Sequence, residues 1–236
     1  MRPVQYASYA MIEKAAYLLA PILQEVVFLG GTATALLITD PAAPDIRPTE
    51  DVDVIVEVAT RSKYYQLEER LRNGGFTQPL GEQNVICRWV KDGLLIDIMP
   101  TNEDILTFGN HWYVPAMNSA VTVKLTNDLS IRLISAPCFL ATKIEAFHGG
   151  KRGTFLTSHD MEDIVSVVDG RPELVGEIQN APPEVRNFLA ETFQKFLQNE
   201  DFLEAVEGHL YPDSTSLSRM HIVLARMKRI AESGAE

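Results

Sequence analysis

The chain has 236 residues, 46% of them hydrophobic and 22% charged, which is enough to bury a sizeable core in one large domain or two small ones. A net charge of −11 disfavours a protein whose whole surface grips nucleic acid, because that binding neutralises phosphates with Lys and Arg; it leaves room for a local basic groove. The longest apolar runs, such as 16–23, contain a proline or stop short of the roughly 20 residues of a membrane helix.

The N-terminus, Met1-Arg2-Pro3-Val4-Gln5-Tyr6, lacks the layout of a signal peptide, so the expectation is a cytoplasmic protein with no membrane partner. Cys87 and Cys138 stand alone, without a second pair or a histidine cluster, and read as reduced core thiols.

In chain order, Val26-Val27-Phe28-Leu29 is a short apolar run ending in Gly30-Gly31, which predicts a buried strand feeding a tight turn, with a helix opening over 32–38. Pro41, Pro44 and Pro48 make the next segment a loop that delivers Asp51 to a Val- and Ile-rich strand over 52–58. Tyr64, Leu67 and Leu71 share a helical face, and Asn73-Gly74-Gly75 supplies its stop. Runs 85–90 and 94–99, separated by Lys91-Asp92-Gly93, predict a hairpin, and 121–125 with 130–133 a second one.

Beyond Pro137 the apolar positions take helical spacing: Leu140, Ile144 and Phe147; Met161, Ile164, Val165 and Val168; Met220, Val223, Leu224 and Met227. The fold class expected is therefore α/β (α+β), with a mixed-sheet domain over 1–136 and a helical bundle over 137–236.

The chemistry concentrates in the first part. Asp51-Val52-Asp53 alternates along a strand, so both carboxylates project to one side. Neighbouring carboxylates repel, and an oxygen-rich pair of this kind suits Mg²⁺ or Mn²⁺. In Leu95-Ile96-Asp97-Ile98-Met99 one acid interrupts an apolar run, which is costly unless it is paired or coordinated, and Asp97 becomes the third candidate metal ligand. Three such acids can serve an in-line phosphoryl displacement, and one could take the proton of the attacking hydroxyl. Gly30 and Gly31 let backbone amides approach phosphate oxygens at a helix N-terminus, and Thr32 adds a hydroxyl. Each feature also has a plainer reading: Gly-Gly as a simple turn, Asp-x-Asp as a solvated pair, Asp97 facing solvent from an edge strand.

The order strand, Gly-Gly, helix, loop, Asp-x-Asp strand, helix, isolated Asp carries more than its parts. Phe28-Leu29-Gly30-Gly31-Thr32-Ala33 followed by Arg47-Pro48-Thr49-Glu50-Asp51-Val52-Asp53-Val54 resembles the signature of the DNA polymerase β-like nucleotidyltransferase superfamily. It is most similar to the branch with the abortive-infection type IV toxins and tRNA-modifying toxin nucleotidyltransferases, which also carries Arg-x-Thr before Asp-x-Asp. The stretch from Gly31 to Asp51 is longer than in compact members.

The resemblance implies a nucleotidyltransferase fold with a helical domain closing over the nucleotide, and nucleotide-binding roles for Arg47 and Thr49. It also implies that Lys143, otherwise a surface lysine, contacts the triphosphate, and that an acid on the next helix completes the site. Asp160 is the first choice and Asp163 the second, in a His159-Asp160-Met161-Glu162-Asp163 stretch that reads equally as a helix start. Lys151 and Arg152, in a basic glycine loop, are candidate phosphate contacts or cations at a helix end.

The expected activity is Mg²⁺- or Mn²⁺-dependent transfer of a nucleoside monophosphate from a nucleoside triphosphate to an RNA or tRNA end or a protein hydroxyl, with a toxin role and a cognate antitoxin as partner. The alternatives are a small-molecule, antibiotic-type transferase and a catalytically silent nucleotide-binding or antitoxin-like module.

Overall fold

Valine- and isoleucine-rich runs become the strands of one mixed sheet: β1 (Val26–Leu29), β2 (Asp51–Val56), β3 (Arg88–Lys91), β4 (Leu94–Pro100), β5 (Val121–Lys124) and β6 (Ser130–Leu133), in the spatial order β3-β4-β2-β1-β6-β5. The computed structural model describes residues 2–79, 86–106, 109–149, 153–210 and 216–234. These fall into two units, a sheet unit of Tyr6–Ala33 and Pro48–Ser135, and a helical unit of Met1–Gln5, Thr34–Arg47 and Ala136–Glu236.

In the sheet unit, β2 lies antiparallel to β1 and parallel to β4, and β1 lies parallel to β6. All four residues of β1 are buried, as expected of a strand inside the sheet. Helices α1 (Pro3–Leu18), α2 (Gly30–Leu37), α3 (Arg61–Asn73), α4 (Glu103–Leu106) and α5 (Tyr113–Asn118) occur along the same stretch of sequence. The helix expected over 32–38 starts two residues earlier, because Gly30 itself makes the turn at φ 75°.

Helix α3 buries the expected face of Tyr64, Leu67 and Leu71. Its first turn is capped by the Thr60 hydroxyl, which accepts from the Lys63 amide, and it stops where the Gly74 amide donates to Arg70 O. The β3–β4 hairpin turns on Asp92 and Gly93, at φ 50° and 74°, the two left-handed residues of a tight primed turn. Lys91 is thus the last strand residue rather than part of the turn, and the strand expected from 85 begins at Arg88, with Val85 outside the described residues. The second hairpin pairs β5 with β6. Both cysteines are buried free thiols, and burial pushes Cys87 up to about 12.

The helical unit contains α6 (Ala136–His148), α7 (His159–Gly170), α8 (Leu174–Gln179), α9 (Pro183–Phe196), α10 (Glu200–His209) and α11 (Ser216–Ala231). Leu140, Ile144, Met161, Ile164, Val165, Val168, Val223 and Met227, expected on packed faces, are all buried. Phe193, Phe196 and, in the sheet unit, Trp112 are core residues. No described helix is long and apolar enough to cross a membrane.

The proline-rich stretch after α2 belongs to the helical unit for physical reasons. Ala35, Ile38, Ala43 and Ile46 form an apolar cluster against Val4. The Thr39 and Asp40 amides both donate to Gly170 O at 2.9 Å, and a Cβ on Gly170 would come 2.8 Å from Ile38 Cγ2. Arg219 ties the arrangement together, with Nε 2.7 Å from Asp169 Oδ2 and Nη2 3.2 Å from Asp40 Oδ2.

Asp169 has about 1% of its surface exposed, and burial holds its carboxyl above the ordinary range against the pull of Arg219. Arg219→Met would leave that charge buried without its main partner, at a cost of about 3 kcal/mol near neutral pH in urea unfolding. Because the folded state then binds the Asp169 proton more tightly than the unfolded chain does, the penalty should shrink as pH falls toward the unfolded value near ~4.

Candidate functional site

The acids expected to cooperate lie on one face of the sheet. Asp53 on β2 is the direct register partner of Asp97 on β4, and Asp51 is opposite Leu95. Partners in a parallel pair share a face, as do residues two apart on one strand, so Asp51, Asp53 and Asp97 form a carboxylate face. The opposite face holds Val52, Val54, Ile96 and Ile98, all fully buried, in the registers Val52↔Ile96 and Val54↔Ile98. The apolar side thus sets the register that brings the acids together. Asp97 does not face solvent from an edge, because β4 lies between β3 and β2 and Asp97 is buried.

The glycine turn touches this face directly. Leu29 is the register partner of Asp53, so Gly30 follows at the end of β1 beside the acid. A Cβ built on Gly30 would lie 1.8 Å from Asp53 Oδ2 and 2.5 Å from its Cγ. Both the left-handed φ and the close approach therefore require glycine here. Gly31 is buried in the first turn of α2. Among the described residues, the hydroxyls of Thr32 and Thr49 are buried without a hydrogen-bond partner, as is that of Thr34 in the helical unit. An orphaned buried hydroxyl costs about 1–3 kcal/mol, an expense that a ligand or water would relieve.

One residue of the face escaped the sequence reading. Arg88 on β3 is the register partner of Asp97. Its Nε donates to Asp97 Oδ1 at 2.8 Å, and its Nη2 donates to Asp97 Oδ2 at 2.8 Å and to Asp51 Oδ2 at 2.9 Å. These bonds to Asp97 hold the guanidinium pKa above its ordinary value. The signal was available: a two-residue turn at Asp92-Gly93 pairs 91 with 94, and counting outward pairs 88 with 97.

Arg88 bears on the metal expectation. Oxygen donors on one face have the chemistry for Mg²⁺ or Mn²⁺. As the face is arranged, however, both Asp97 oxygens and one of Asp51 accept from Arg88, and among the described residues no group of three His, Cys, Asp or Glu is gathered to hold a metal ion. The acids fit a guanidinium in this arrangement and do not fit a metal.

The remaining candidates form an ion network inside the helical unit. Lys143 on α6 is no surface lysine: it is buried, with Nζ 3.1 Å from Asp160 Oδ1 and 2.6 Å from Asp163 Oδ2. Arg47 grips Asp163 with two bonds, Nε to Oδ1 at 2.9 Å and Nη2 to Oδ2 at 3.0 Å. Burial opposes the charge of Arg47, and the bonds and charge of Asp163 more than offset it, leaving its pKa raised. Asp160 does occupy the first turn of a helix, capped by the Ser158 hydroxyl accepting from Met161 N, yet it is buried on Lys143. Both acids therefore engage the lysine, and Asp163 serves Arg47 as well. Lys151 and Arg152 lie outside the described residues.

No family model and no curated protein matches this chain. Among solved structures it is similar to the crystal structure of an antigenic nucleotidyltransferase-like protein from Paracoccidioides brasiliensis, at 21% identity and a TM-score of 0.48, covering 85% of this chain and 92% of that one.

Two glycines in left-handed conformation separate backbone strain from close approach. Gly93, at φ 74°, has nothing within 4 Å of a built Cβ, so Gly93→Ala should cost only about 1–2 kcal/mol of strain in urea unfolding. Gly30→Ala carries the same strain and must also displace the Asp53 carboxylate, so it should cost more than Gly93→Ala in the same measurement. In the helical unit, Lys143→Met should destabilise by about 3 kcal/mol in chemical denaturation, because two buried carboxylates lose a shared cation.

Proposed function

We propose that this chain is a nucleotidyltransferase, moving a nucleoside monophosphate from a nucleoside triphosphate to an acceptor hydroxyl. The observation that carries the reading is the contact of the Asp53 carboxylate with the Gly30 turn, with Asp97 beside Asp53 in register. An acid face against a glycine turn that opens a helix puts a phosphate-binding element and proton acceptors at one place. The orphaned hydroxyls of Thr32 and Thr49 support a polar ligand in the same unit. The Arg47-x-Thr49 lead-in to Asp51 and Asp53 supports the same reading from sequence.

The acceptor oxygen attacks the α-phosphorus as the bond to the bridging oxygen breaks and pyrophosphate leaves. The hydroxyl proton passes to an acid of the face, which we assign to Asp97. Gly30, Gly31 and Thr32 hold phosphate oxygens. Lys143 and Arg47, expected on the triphosphate, are engaged within the helical unit by Asp160 and Asp163. In its finer form the reading makes the acceptor an RNA or tRNA end or a protein hydroxyl, and the chain a toxin-like enzyme with a cognate antitoxin. The second reading is a silent nucleotide-binding module, favoured by one observation, the hold of Arg88 on two of the three acids.

Incubation with each labelled nucleoside triphosphate, Mg²⁺ and total RNA, beside an Asp53→Ala control, separates these outcomes. Label should appear in RNA or on protein, and Asp53→Ala should lower the transfer rate at least about 100-fold. Equal transfer by Asp53→Ala would refute the site. Absence of transfer to RNA, protein or a small acceptor with either Mg²⁺ or Mn²⁺ would favour the silent module.

A further inference from the structure

We infer that the helical unit carries a ligand site of its own, a cleft that binds an organic cation with an aromatic or apolar body and an ammonium group. The inference does not depend on nucleotidyl transfer.

The cleft, of about 480 Å³, is lined by Phe147 at the end of α6, by Phe155 and Leu156 in the turn before α7, and by Asp201, Glu204 and Ala205 on α10. That volume is within the range of small-molecule sites. The aromatic part of the lining is firmly held. The Phe147 and Phe155 rings stack with centroids 4.9 Å apart, and Phe155 meets the buried Phe196 and Phe202 edge-on at 5.5 and 5.4 Å. The turn that carries Phe155 and Leu156 is fastened to α10 at two points. His209 Nε2 donates to Phe155 O at 2.7 Å, and Leu156 rests on Gly208, where a Cβ would lie 2.4 Å from Leu156 Cδ1. Leu156 nevertheless remains 57% exposed, next to two half-buried rings, so the cleft offers a contiguous apolar surface to a ligand.

The charge of the lining selects the ligand. Helix α10 carries four acids, Glu200, Asp201, Glu204 and Glu207, and no lysine or arginine. The helix dipole accounts for Glu200 and Asp201 in the first turn, but Glu204 lies beyond that turn and gains little from it. Neither Asp201 nor Glu204 forms an ion pair among the described residues. Two unpaired carboxylates beside aromatic faces repel an anion and favour a cation, which the negative faces of Phe147 and Phe155 also attract. A polyamine has no body for the apolar lining, and a neutral arene has no charge for the acids. A second copy of this chain, docked cleft to cleft, would set the acids of α10 against themselves.

Naphthylmethylammonium is the probe. Naphthylmethanol offers the same body without charge, naphthoate the body with opposite charge, and spermidine the charge without the body. In isothermal titration of the full chain, the ammonium compound should bind at least about tenfold more tightly than any of the three. The double variant Asp201→Asn, Glu204→Gln should weaken the ammonium about tenfold and leave the alcohol unchanged. Leu156→Ser alters an exposed side chain and should weaken both compounds. The methyl resonances of Leu156 and Ala205 in the parent protein should shift on adding the ammonium, a readout that stands even where a variant fails to fold.

Equal binding of ammonium and alcohol, spermidine binding as tightly as the ammonium, an unweakened double variant, absence of binding by every probe, or unmoved methyl resonances overturns the inference. Self-association of the parent that Leu156→Ser abolishes would assign the cleft to a second copy and overturn it as well. None of these probes is a nucleotide, so nucleotidyl transfer stands or falls by its own measurement.

Discussion

The register of β2 between β1 and β4 is the constraint on which the carboxylate face depends. It sets Asp53 beside both Leu29 and Asp97, and so brings the acid against Gly30. A slip of one residue would turn the acids inward and Val52 and Val54 outward. Each buried aliphatic side chain contributes about 1.5–3 kcal/mol. Four of them, Val52, Val54, Ile96 and Ile98, outweigh a repulsion between neighbouring carboxylates of about 4 kcal/mol at 4 Å near a protein surface. Hydrophobic burial on one side of the sheet therefore holds together a charge arrangement that would disperse by itself.

Two ways of neutralising acids coexist in the molecule, and they differ in what they permit. In the helical unit, Lys143 and Arg47 share Asp160 and Asp163 among buried groups, an arrangement whose disruption strands charge away from water. In the sheet unit, Arg88 serves Asp97 and Asp51 where water still reaches. The first kind fixes structure. The second is partly solvated, with the Arg88 side chain 23% and that of Asp51 35% exposed.

Much of this was legible along the chain. The four-residue apolar run and its glycines, the Pro-rich loop, the alternating Asp51-Val52-Asp53 strand and the Asp92-Gly93 hairpin are local patterns, and they folded as those patterns demand. Helix α1 was missed because alanines and tyrosines blur its apolar stripe. From its own neighbours Lys143 reads as a surface lysine, and its burial was not legible because its partners Asp160 and Asp163 come from another helix. Lys151 and Arg152 belong to a basic, glycine-rich stretch of sequence that lies outside the described residues.

By itself, then, the sequence determined which residues alternate and where the chain turns, because periods of two and 3.6 and the demands of turns are encoded within a few neighbouring residues. Tertiary structure alone decided that Asp53 and Asp97 are register partners, that Gly30 has no room for a side chain, and that Arg88 holds two of the acids. Those are contacts between strands, set by the burial of Val52, Val54, Ile96 and Ile98 rather than by the acids; only the pairing of 88 with 97 could be counted out from a local turn, and the reach of Arg88 to Asp51 could not.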